Sequence, residues 1–128
     1  MSKKKVLVVD DEKELVEVTE VLLESNGFDV AAAYSGEEGK KAALTEKPDV
    51  IILDVMMETS GAGFDVARWI RGQDATKAIP IIMLTAVNQN VPWRFASDEV
   101  WLPVDVFLDK PVSPERLLRE VKRITGSK

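Results

Sequence analysis

The sequence contains neither cysteine nor histidine among its 128 residues. These absences exclude a disulfide framework, a zinc site built from thiolates or imidazoles, and any nucleophilic triad that depends on histidine. The length is that of one compact domain, and a chain of this size buries enough apolar surface to fold without disulfides or a structural metal. We therefore expect one domain over residues 1–128. The lack of cysteine together with the lack of an export signal favours a cytoplasmic location.

The sequence also lacks a long apolar run and an excess of basic residues. Its 17 basic and 22 acidic side chains give a net charge of −5, which argues against a surface that clamps nucleic-acid phosphates. The start of the chain is basic at Lys3–Lys5, but the apolar run that follows is too short for a signal peptide or a membrane span. We therefore expect neither nucleic acid nor a membrane to be a partner of this domain.

Four short apolar runs are each followed by a polar side chain that could bind a ligand. The runs and the residues after them are Val6–Val9 with Asp10 and Asp11, Val50–Leu53 with Asp54, Ile81–Leu84 with Thr85, and Val106–Leu108 with Asp109, Lys110 and Pro111. If the runs are parallel strands, their carboxyl ends lie along one edge of a sheet, where ligands bind in open α/β proteins. Three carboxylates, one hydroxyl and one ammonium would then meet in a single crevice.

Apolar periodicity predicts strands and helices in alternation. The predicted strands are Lys5–Val9, Phe28–Ala33, Val50–Leu53, Ile79–Leu84 and Val104–Leu108. The predicted helices are Glu12–Asn26, a helix capped by Ser35 that ends before Pro48, Phe64–Arg71, and a helix capped by Ser113 that ends at Thr125. Because strands and helices alternate and the central strands are continuously apolar, we expect a doubly wound parallel sheet with helices on both faces.

Two segments of this pattern have further features. The first helix carries an apolar stripe with helical period, formed by Leu15, Val18, Val21, Leu22 and Phe28. The segment Val87–Pro103 stands where a fourth helix is expected, but Pro92 does not fit the interior of a helix. We therefore expect the fourth helix to be irregular.

The three aspartates suggest a metal site. Carboxylates at one edge of a sheet repel one another unless a cation lies between them. A few oxygen ligands of this kind suit Mg²⁺ or Mn²⁺ better than Ca²⁺. A carboxylate beside such a cation, with a lysine opposite, can act as a nucleophile towards a phosphoryl group. Each residue taken singly also has a structural explanation, because aspartates, for example, commonly cap helices. Only the full set of residues, in this order along the chain, indicates phosphoryl chemistry.

These segments resemble the response-regulator receiver domains of bacterial two-component signalling. The resemblance lies in Val-Leu-Val-Val-Asp10-Asp11-Glu, Ile-Ile-Leu-Asp54-Val-Met-Met, Ile-Met-Leu-Thr85-Ala86 and Phe107-Leu-Asp-Lys110-Pro111, and it covers essentially the whole chain. It implies the flavodoxin-like sheet with strand order 2-1-3-4-5. It also implies a phosphorylation-activated switch, which catalyses only its own phosphorylation and dephosphorylation. The implied partners are a histidine kinase or phosphotransfer protein and, downstream, a protein effector or a covalently linked output domain.

The resemblance also implies a role for each acidic residue. Asp54 is the phosphoacceptor and a metal ligand. Asp11 binds Mg²⁺ directly and Asp10 binds it largely through water, with Mn²⁺ as the alternative cation. The backbone carbonyl of Met56 completes the protein ligands.

The remaining implied roles belong to the last two strands. Thr85 and Lys110 contact the phosphoryl oxygens, and Phe107 is the aromatic residue that rotates inward when Thr85 moves towards the phosphoryl group. The chain departs from the family in the loop after Asp54, which lacks the usual proline, and in the irregular Val87–Pro103 segment.

Three other functions share part of this pattern. A degenerate receiver would act only as a protein-interaction module. The presence of all five key residues argues against this alternative, and these residues are Asp10, Asp11, Asp54, Thr85 and Lys110. An aspartate-nucleophile phosphatase uses the same nucleophile but usually has a second acid two residues later, where this chain has Met56. A flavin- or dinucleotide-binding domain needs a phosphate-binding loop after the first strand, where Asp10, Asp11 and Glu12 would repel an anion.

Overall fold

The computed structural model of the chain describes residues 3–54, 62–86, 105–110 and 112–126. Within these ranges the strands are β1 (Lys5–Val9), β2 (Asp29–Ala33), β3 (Val50–Asp54), β4 (Ile81–Ala86) and β5 (Val106–Lys110). The helices are α1 (Lys13–Glu24), α2 (Gly36–Glu46), α3 (Ala62–Arg71) and α4 (Pro114–Thr125). Helix α4 is the last helix expected from the sequence, and the irregular helix expected at Val87–Pro103 lies outside the described residues.

The five strands form one parallel sheet in the order β2-β1-β3-β4-β5. Strand β1 pairs with both β2 and β3, so Val9 has Ala33 on one side and Leu53 on the other. The pairing continues through β4 to β5, where Ala86 lies beside Lys110. This order confirms the flavodoxin-like fold expected from the sequence. It also places the carboxyl ends of β1 and β3 next to each other.

Alternate side chains of the central strands enter two separate cores, which explains why these strands are apolar at every position. One core joins the sheet to α1 and α4 through Val8, Ile52, Leu84, Val16, Leu23, Leu117 and Val121. The other core joins the opposite face to α2 and α3 through Leu7, Val9, Ile51, Met83, Ala43, Val66 and Ile70. Among the described residues, two helices therefore cover each face of the sheet. In the described part of the chain, no helix has the length and apolar character needed to cross a membrane.

Side-chain caps define two of the helix starts. The Ser35 hydroxyl accepts a hydrogen bond from the Glu38 backbone N–H at 3.1 Å, and the Glu38 carboxylate accepts one from the Tyr34 N–H at 2.8 Å. The Ser113 hydroxyl accepts one from the Arg116 N–H at 3.1 Å at the start of α4. Caps of this kind satisfy backbone donors that have no partner inside the helix. Both predicted helix starts are therefore confirmed.

The apolar stripe of α1 does not form its buried side. The structure buries Val16, Thr19 and Leu23 against the sheet, whereas Val18 and Val21 remain 64% and 66% exposed. Helix α1 thus has two apolar surfaces, of which the sequence stripe marks the outer one. The stripe residue Phe28, which follows the helix, is buried in the core.

Strand β4 begins at Ile81 rather than at the predicted Ile79. The Ile79 N–H donates to the Thr76 carbonyl at 3.0 Å, which makes this segment a turn. The Arg71 guanidinium at the end of α3 donates to the Ile79 carbonyl at 2.5 Å and to the Asp105 carboxylate at 2.8 Å. The same carboxylate oxygen accepts the Ile81 N–H at 2.8 Å. Arg71 and Asp105 therefore tie α3 to the first residues of β4 and β5.

Gly39 lets α2 pack closely on β1. A Cβ at this position would lie 2.8 Å from Cγ1 and 3.2 Å from Cγ2 of Val9. Val9 is fully buried, and its branched side chain has neighbours on all sides, so it cannot move away at low cost. The contact between the two elements therefore depends on the missing side chain.

We expect Gly39→Ala to lower the free energy of unfolding by roughly 1 kcal/mol. Overpacking costs about 1–3 kcal/mol, which exceeds the gain in helix propensity of about 1 kcal/mol. Gly72→Ala is the control, because its Cβ would make ordinary 3.5 Å contacts with the carbonyls of Arg68 and Trp69. Urea unfolding measures both variants. In a Val9→Ala background, Gly39→Ala should lower the free energy of unfolding by a smaller amount. An equal decrease in both backgrounds would contradict the steric explanation.

Candidate functional site

Three aspartates meet at the carboxyl ends of β1 and β3. Asp10 and Asp11 directly follow β1, and Asp54 is the last residue of β3. One carboxylate oxygen from each residue can be chosen so that all three lie within 4.8 Å of one another. The residues are far apart in the sequence, and the strand pairing of Val9 with Leu53 brings them together. The structure therefore forms the acidic cluster that the sequence predicted.

The three carboxylates differ in burial. Asp10 and Asp54 are 3% and 4% exposed, whereas Asp11 is exposed to solvent. The Asp10 N–H donates to the Ala33 carbonyl at 3.0 Å, and its carboxylate accepts the Glu12 N–H at 3.0 Å. Asp10 therefore has a structural role at the turn into α1 that holds its carboxylate in place. Asp11 can reach solvent and an incoming ion.

The donor set fits a hard divalent cation. Every side-chain ligand is a carboxylate oxygen, and such oxygens select Mg²⁺ or Mn²⁺ over softer metals. Like charges about 4 Å apart repel by on the order of 4 kcal/mol at an effective dielectric constant of 20. A cation between the carboxylates would remove this repulsion. The site residues that could hold it are Asp10, Asp11 and Asp54.

Strands β4 and β5 continue the same edge of the sheet. Asp54 pairs with Leu84, so Thr85 is the next residue along β4, and Thr85 pairs with Asp109 beside Lys110 at the end of β5. The backbone positions of Thr85 and Lys110 thus agree with the crevice expected from the sequence. The side chains of Thr85, Phe107 and Lys110 lie outside the described part of the structure.

Met56, whose carbonyl was expected to complete the metal ligands, belongs to the range 55–61 and lies wholly outside the described residues. Its predicted role stays a prediction. The cluster that the structure does describe contains carboxylates at the ends of two strands, β1 and β3.

Sequence reasoning did not identify a groove beside the acidic cluster. A cavity of about 1030 Å³ extends from Asp10 and Glu12 along the space between α1 and α4. Its lining is mostly apolar and includes Leu15, Leu22, Ile52, Leu84 and Leu117. The apolar stripe of α1 is the sequence feature that indicates this groove, because Leu15, Val18, Val21 and Leu22 of the stripe all line it.

A family comparison agrees with this arrangement of strands and carboxylates. Residues 6–122 match the model of the response regulator receiver domain. The chain belongs to the response-regulator receiver family. The acidic cluster of this receiver therefore lies where the family resemblance of the sequence placed the phosphorylation site.

Individual relatives include whole regulators and isolated receivers. The receiver is 40% identical over 121 residues to the alkaline phosphatase synthesis transcriptional regulatory protein PhoP of Bacillus subtilis. The match covers 94% of this chain but 48% of PhoP, so the chain spans about half the length of that relative. Among solved structures, the chemotaxis response regulator CheY4 of Vibrio cholerae has a TM-score of 0.82 and 32% identity, with 96% of this chain and 99% of that chain covered.

A third relative bears on the metal. The receiver domain of the sensor histidine kinase PA1611 from Pseudomonas aeruginosa has a TM-score of 0.81 and 28% identity to this receiver. The match covers 98% of this chain and 100% of that chain. The PA1611 structure has a magnesium ion coordinated in its active-site cleft.

We expect Mg²⁺ to raise the melting temperature of this receiver. A ligand that binds only the folded state stabilises it by about 2.7 kcal/mol at a hundredfold excess over Kd. Asp11→Asn should abolish the Mg²⁺ effect and, without metal, should be neutral or stabilising because carboxylate repulsion is relieved. Asp29→Asn is the matched control, since Asp29 is an exposed aspartate at the opposite end of the sheet, where β2 begins. Thermal melts with and without Mg²⁺ that coincide for the parent protein would argue against the metal site.

Proposed function

We propose that this receiver is a switch in which Asp54 accepts a phosphoryl group in a Mg²⁺-dependent reaction. The observation that carries the proposal is the buried Asp54 carboxylate at the end of β3, with oxygens of Asp10 and Asp11 close by. A carboxylate in this position faces the edge of the sheet where α/β proteins bind ligands. The magnesium ion of the PA1611 receiver supports the choice of cation.

The proposed reaction is a nucleophilic displacement at phosphorus. A carboxylate oxygen of Asp54 forms a bond to the phosphorus atom while the bond from phosphorus to the donor nitrogen of a phosphohistidine breaks. The imidazole nitrogen keeps the electron pair of that bond. When bound, Mg²⁺ supplies positive charge next to the phosphoryl oxygens. The product is an acyl phosphate on Asp54.

The other site residues act on binding and orientation. Asp11 and Asp10 hold the cation, with Asp54 and the Met56 carbonyl as further ligands, and Mn²⁺ is the alternative ion. Lys110 neutralises phosphoryl oxygens from the end of β5. Thr85 donates its hydroxyl to the same oxygens, a contact that can form only after phosphorylation.

The switch then depends on contacts that differ between the phosphorylated and the unphosphorylated state. Because Thr85 gains a partner in the phosphorylated state, that state favours the conformation in which Thr85 lies nearer to Asp54. Phe107, on the neighbouring strand β5, rotates inward to fill the space that Thr85 leaves. The receiver is thus a regulatory domain that catalyses only its own phosphorylation and dephosphorylation.

The partners follow from the chemistry. We propose that residues 1–128 form one cytoplasmic receiver domain, which takes its phosphoryl group from a histidine kinase or a phosphotransfer protein. Its output passes to a downstream protein effector or to a covalently linked output domain. PhoP, a transcriptional regulatory protein, is about twice the length of the matched region and supports the second arrangement.

We expect incubation with acetyl phosphate or phosphoramidate and Mg²⁺ to add one phosphoryl group to the protein. Asp54→Asn should abolish the modification, because the amide is a poor nucleophile. Asp49→Asn is the control, since Asp49 lies at the other end of β3 and its carboxylate binds the Lys5 N–H. Intact-mass spectrometry measures the product. Phosphorylation that persists in Asp54→Asn would disprove the assignment, and a parent protein that binds Mg²⁺ without being modified would indicate a degenerate receiver.

We expect Lys110→Ala to separate metal binding from phosphorylation. Loss of the ammonium removes a positive charge next to the cation, so Mg²⁺ should bind as tightly or more tightly. Phosphorylation should slow, because the phosphoryl oxygens lose a neutralising partner. Titration of Mg²⁺ by fluorescence and the time course of phosphoramidate modification measure the two effects. A normal rate of phosphorylation in Lys110→Ala would mean that Lys110 is a surface lysine without a role in phosphoryl transfer.

A further inference from the structure

Strand β5 is the outermost strand on one side of the sheet. In the described part of the chain it pairs with β4 alone, whereas β1, β3 and β4 each pair on both sides. An outermost strand makes its ladder hydrogen bonds on one side only, so its position along the neighbouring strand is less firmly fixed. Lys110 is the last residue of β5. The position of Lys110 at the carboxyl end of the sheet therefore depends on what fixes the register of this strand.

The apolar residues of β5 do not fix its register by themselves. Val106 and Leu108 pack in the core that the sheet shares with α1 and α4. The sequence extends the same alternation backwards to Val104, so a shift of two residues would replace one aliphatic side chain with another. A shift of one residue would reverse the two faces of the strand, which burial opposes. A shift of two residues keeps the faces and moves the strand by about 6.6 Å.

A polar contact just before β5 distinguishes these registers. The Asp105 carboxylate oxygen Oδ2 accepts hydrogen bonds from the Ile81 N–H and from the Arg71 guanidinium, both at 2.8 Å. The Asp105 N–H donates to the Ile81 carbonyl at 2.9 Å. A two-residue shift would bring either Pro103 or Phe107 to this level, and neither side chain can accept a hydrogen bond. The observed register therefore satisfies donors that both shifted registers would leave without this acceptor.

The Arg71 guanidinium is itself held by the turn between α3 and β4. Its nitrogen Nη1 donates to the carbonyls of Lys77 and Ile79 at 3.1 and 2.5 Å. The buried Thr76 closes the same turn, because its hydroxyl donates to the Ile70 carbonyl at 2.7 Å. The planar fork of a guanidinium binds the two carbonyls and the Asp105 carboxylate at fixed spacing, whereas an ammonium is a single point charge. Arg71 thus connects the end of α3 to the start of β5.

We propose that Asp105, held by Arg71, is a positioning residue for Lys110. By fixing the register of β5 on β4, Asp105 determines where the Lys110 ammonium stands relative to the phosphoryl group. Asp105 acts from the opposite end of the strand, about 16 Å from Lys110, and does not touch that group. The Asp105 side chain is half-exposed, and an ion pair of this kind contributes little to stability, so its main effect is on register. The inference rests on the proposed phosphorylation of Asp54.

The strand pairing shows why register matters for phosphoryl transfer. Asp54 pairs with Leu84, whereas Lys110 pairs with Ala86, two residues farther along β4. Asp54 and Lys110 also lie two strands apart, which is about 10 Å across the sheet. A displacement of about 1 Å at a reacting centre can lower a rate by about a hundredfold. A shifted or loosened β5 should therefore slow phosphorylation even though the acidic cluster on β1 and β3 is unchanged.

Phosphorylation kinetics in single and double variants test the proposal. Asp105→Ala removes the acceptor of both hydrogen bonds, and phosphorylation by phosphoramidate with Mg²⁺ should slow at least about tenfold. The Kd for Mg²⁺ should stay unchanged in a fluorescence titration, because the aspartate cluster lies at the ends of β1 and β3. In a Lys110→Ala background, Asp105→Ala should cause no further loss of rate, since the residue that it positions is gone. A purely structural role would lower the rate by the same factor in both backgrounds.

Asp49→Ala is the matched control. The Asp49 carboxylate also accepts a backbone N–H next to the start of a strand, that of Lys5 at 2.8 Å, but β3 has neighbours on both sides. Asp49→Ala should therefore leave the rate of phosphorylation unchanged. Hydrogen exchange of the full chain is a readout independent of phosphorylation, and the amides of residues 106–110 should exchange faster in Asp105→Ala than in Asp49→Ala. If Asp105→Ala does not fold, Arg71→Lys replaces it, with a smaller decrease in rate expected.

A loss of rate that is present in the parent background and absent in Lys110→Ala supports the positioning role. A normal rate in Asp105→Ala, equal decreases in both backgrounds, or unchanged exchange in β5 would overturn this role and leave the phosphorylation of Asp54 intact. A parent protein that binds Mg²⁺ but accepts no phosphoryl group would instead overturn the proposed function, and the positioning of Lys110 with it.

Discussion

The mutual repulsion of three carboxylates is the constraint on which the function of this receiver depends. Asp10 and Asp54 are buried at the ends of neighbouring strands, and Asp11 is exposed beside them. Folding brings these charges together only because the sheet places β1 next to β3. A cation between the carboxylates would relieve this repulsion, and the positive charge of the cation would favour an anionic group beside it.

The rest of the fold holds the edge of the sheet in place. On one face, Gly39 allows α2 to approach Val9, the residue immediately before the acidic pair. At the opposite end of the sheet, Arg71 and Asp105 fix where β4 and β5 begin. Because β4 and β5 are paired in register, their starting points determine where Thr85 and Lys110 stand relative to Asp54. Contacts remote from the site thus set its backbone geometry.

The groove between α1 and α4 is mostly apolar, whereas the cluster at its end is acidic. Helix α1 buries one narrow set of side chains and leaves Val18 and Val21 exposed along the groove. The groove begins at Asp10 and Glu12, so any protein bound there lies next to the acidic cluster.

Patterns among residues close in sequence determined most of this fold. Continuously apolar runs indicated buried parallel strands, and the Ser35 and Ser113 caps marked helix starts, because strand burial and capping depend on neighbouring residues. The order of polar residues after the strands also indicated the acidic cluster. Tertiary structure alone decided which side of α1 is buried, since Val16 and Val18 are equally apolar and only packing against the sheet distinguishes them. It likewise decided the start of β4, because Arg71 and Asp105 meet across 34 residues of sequence.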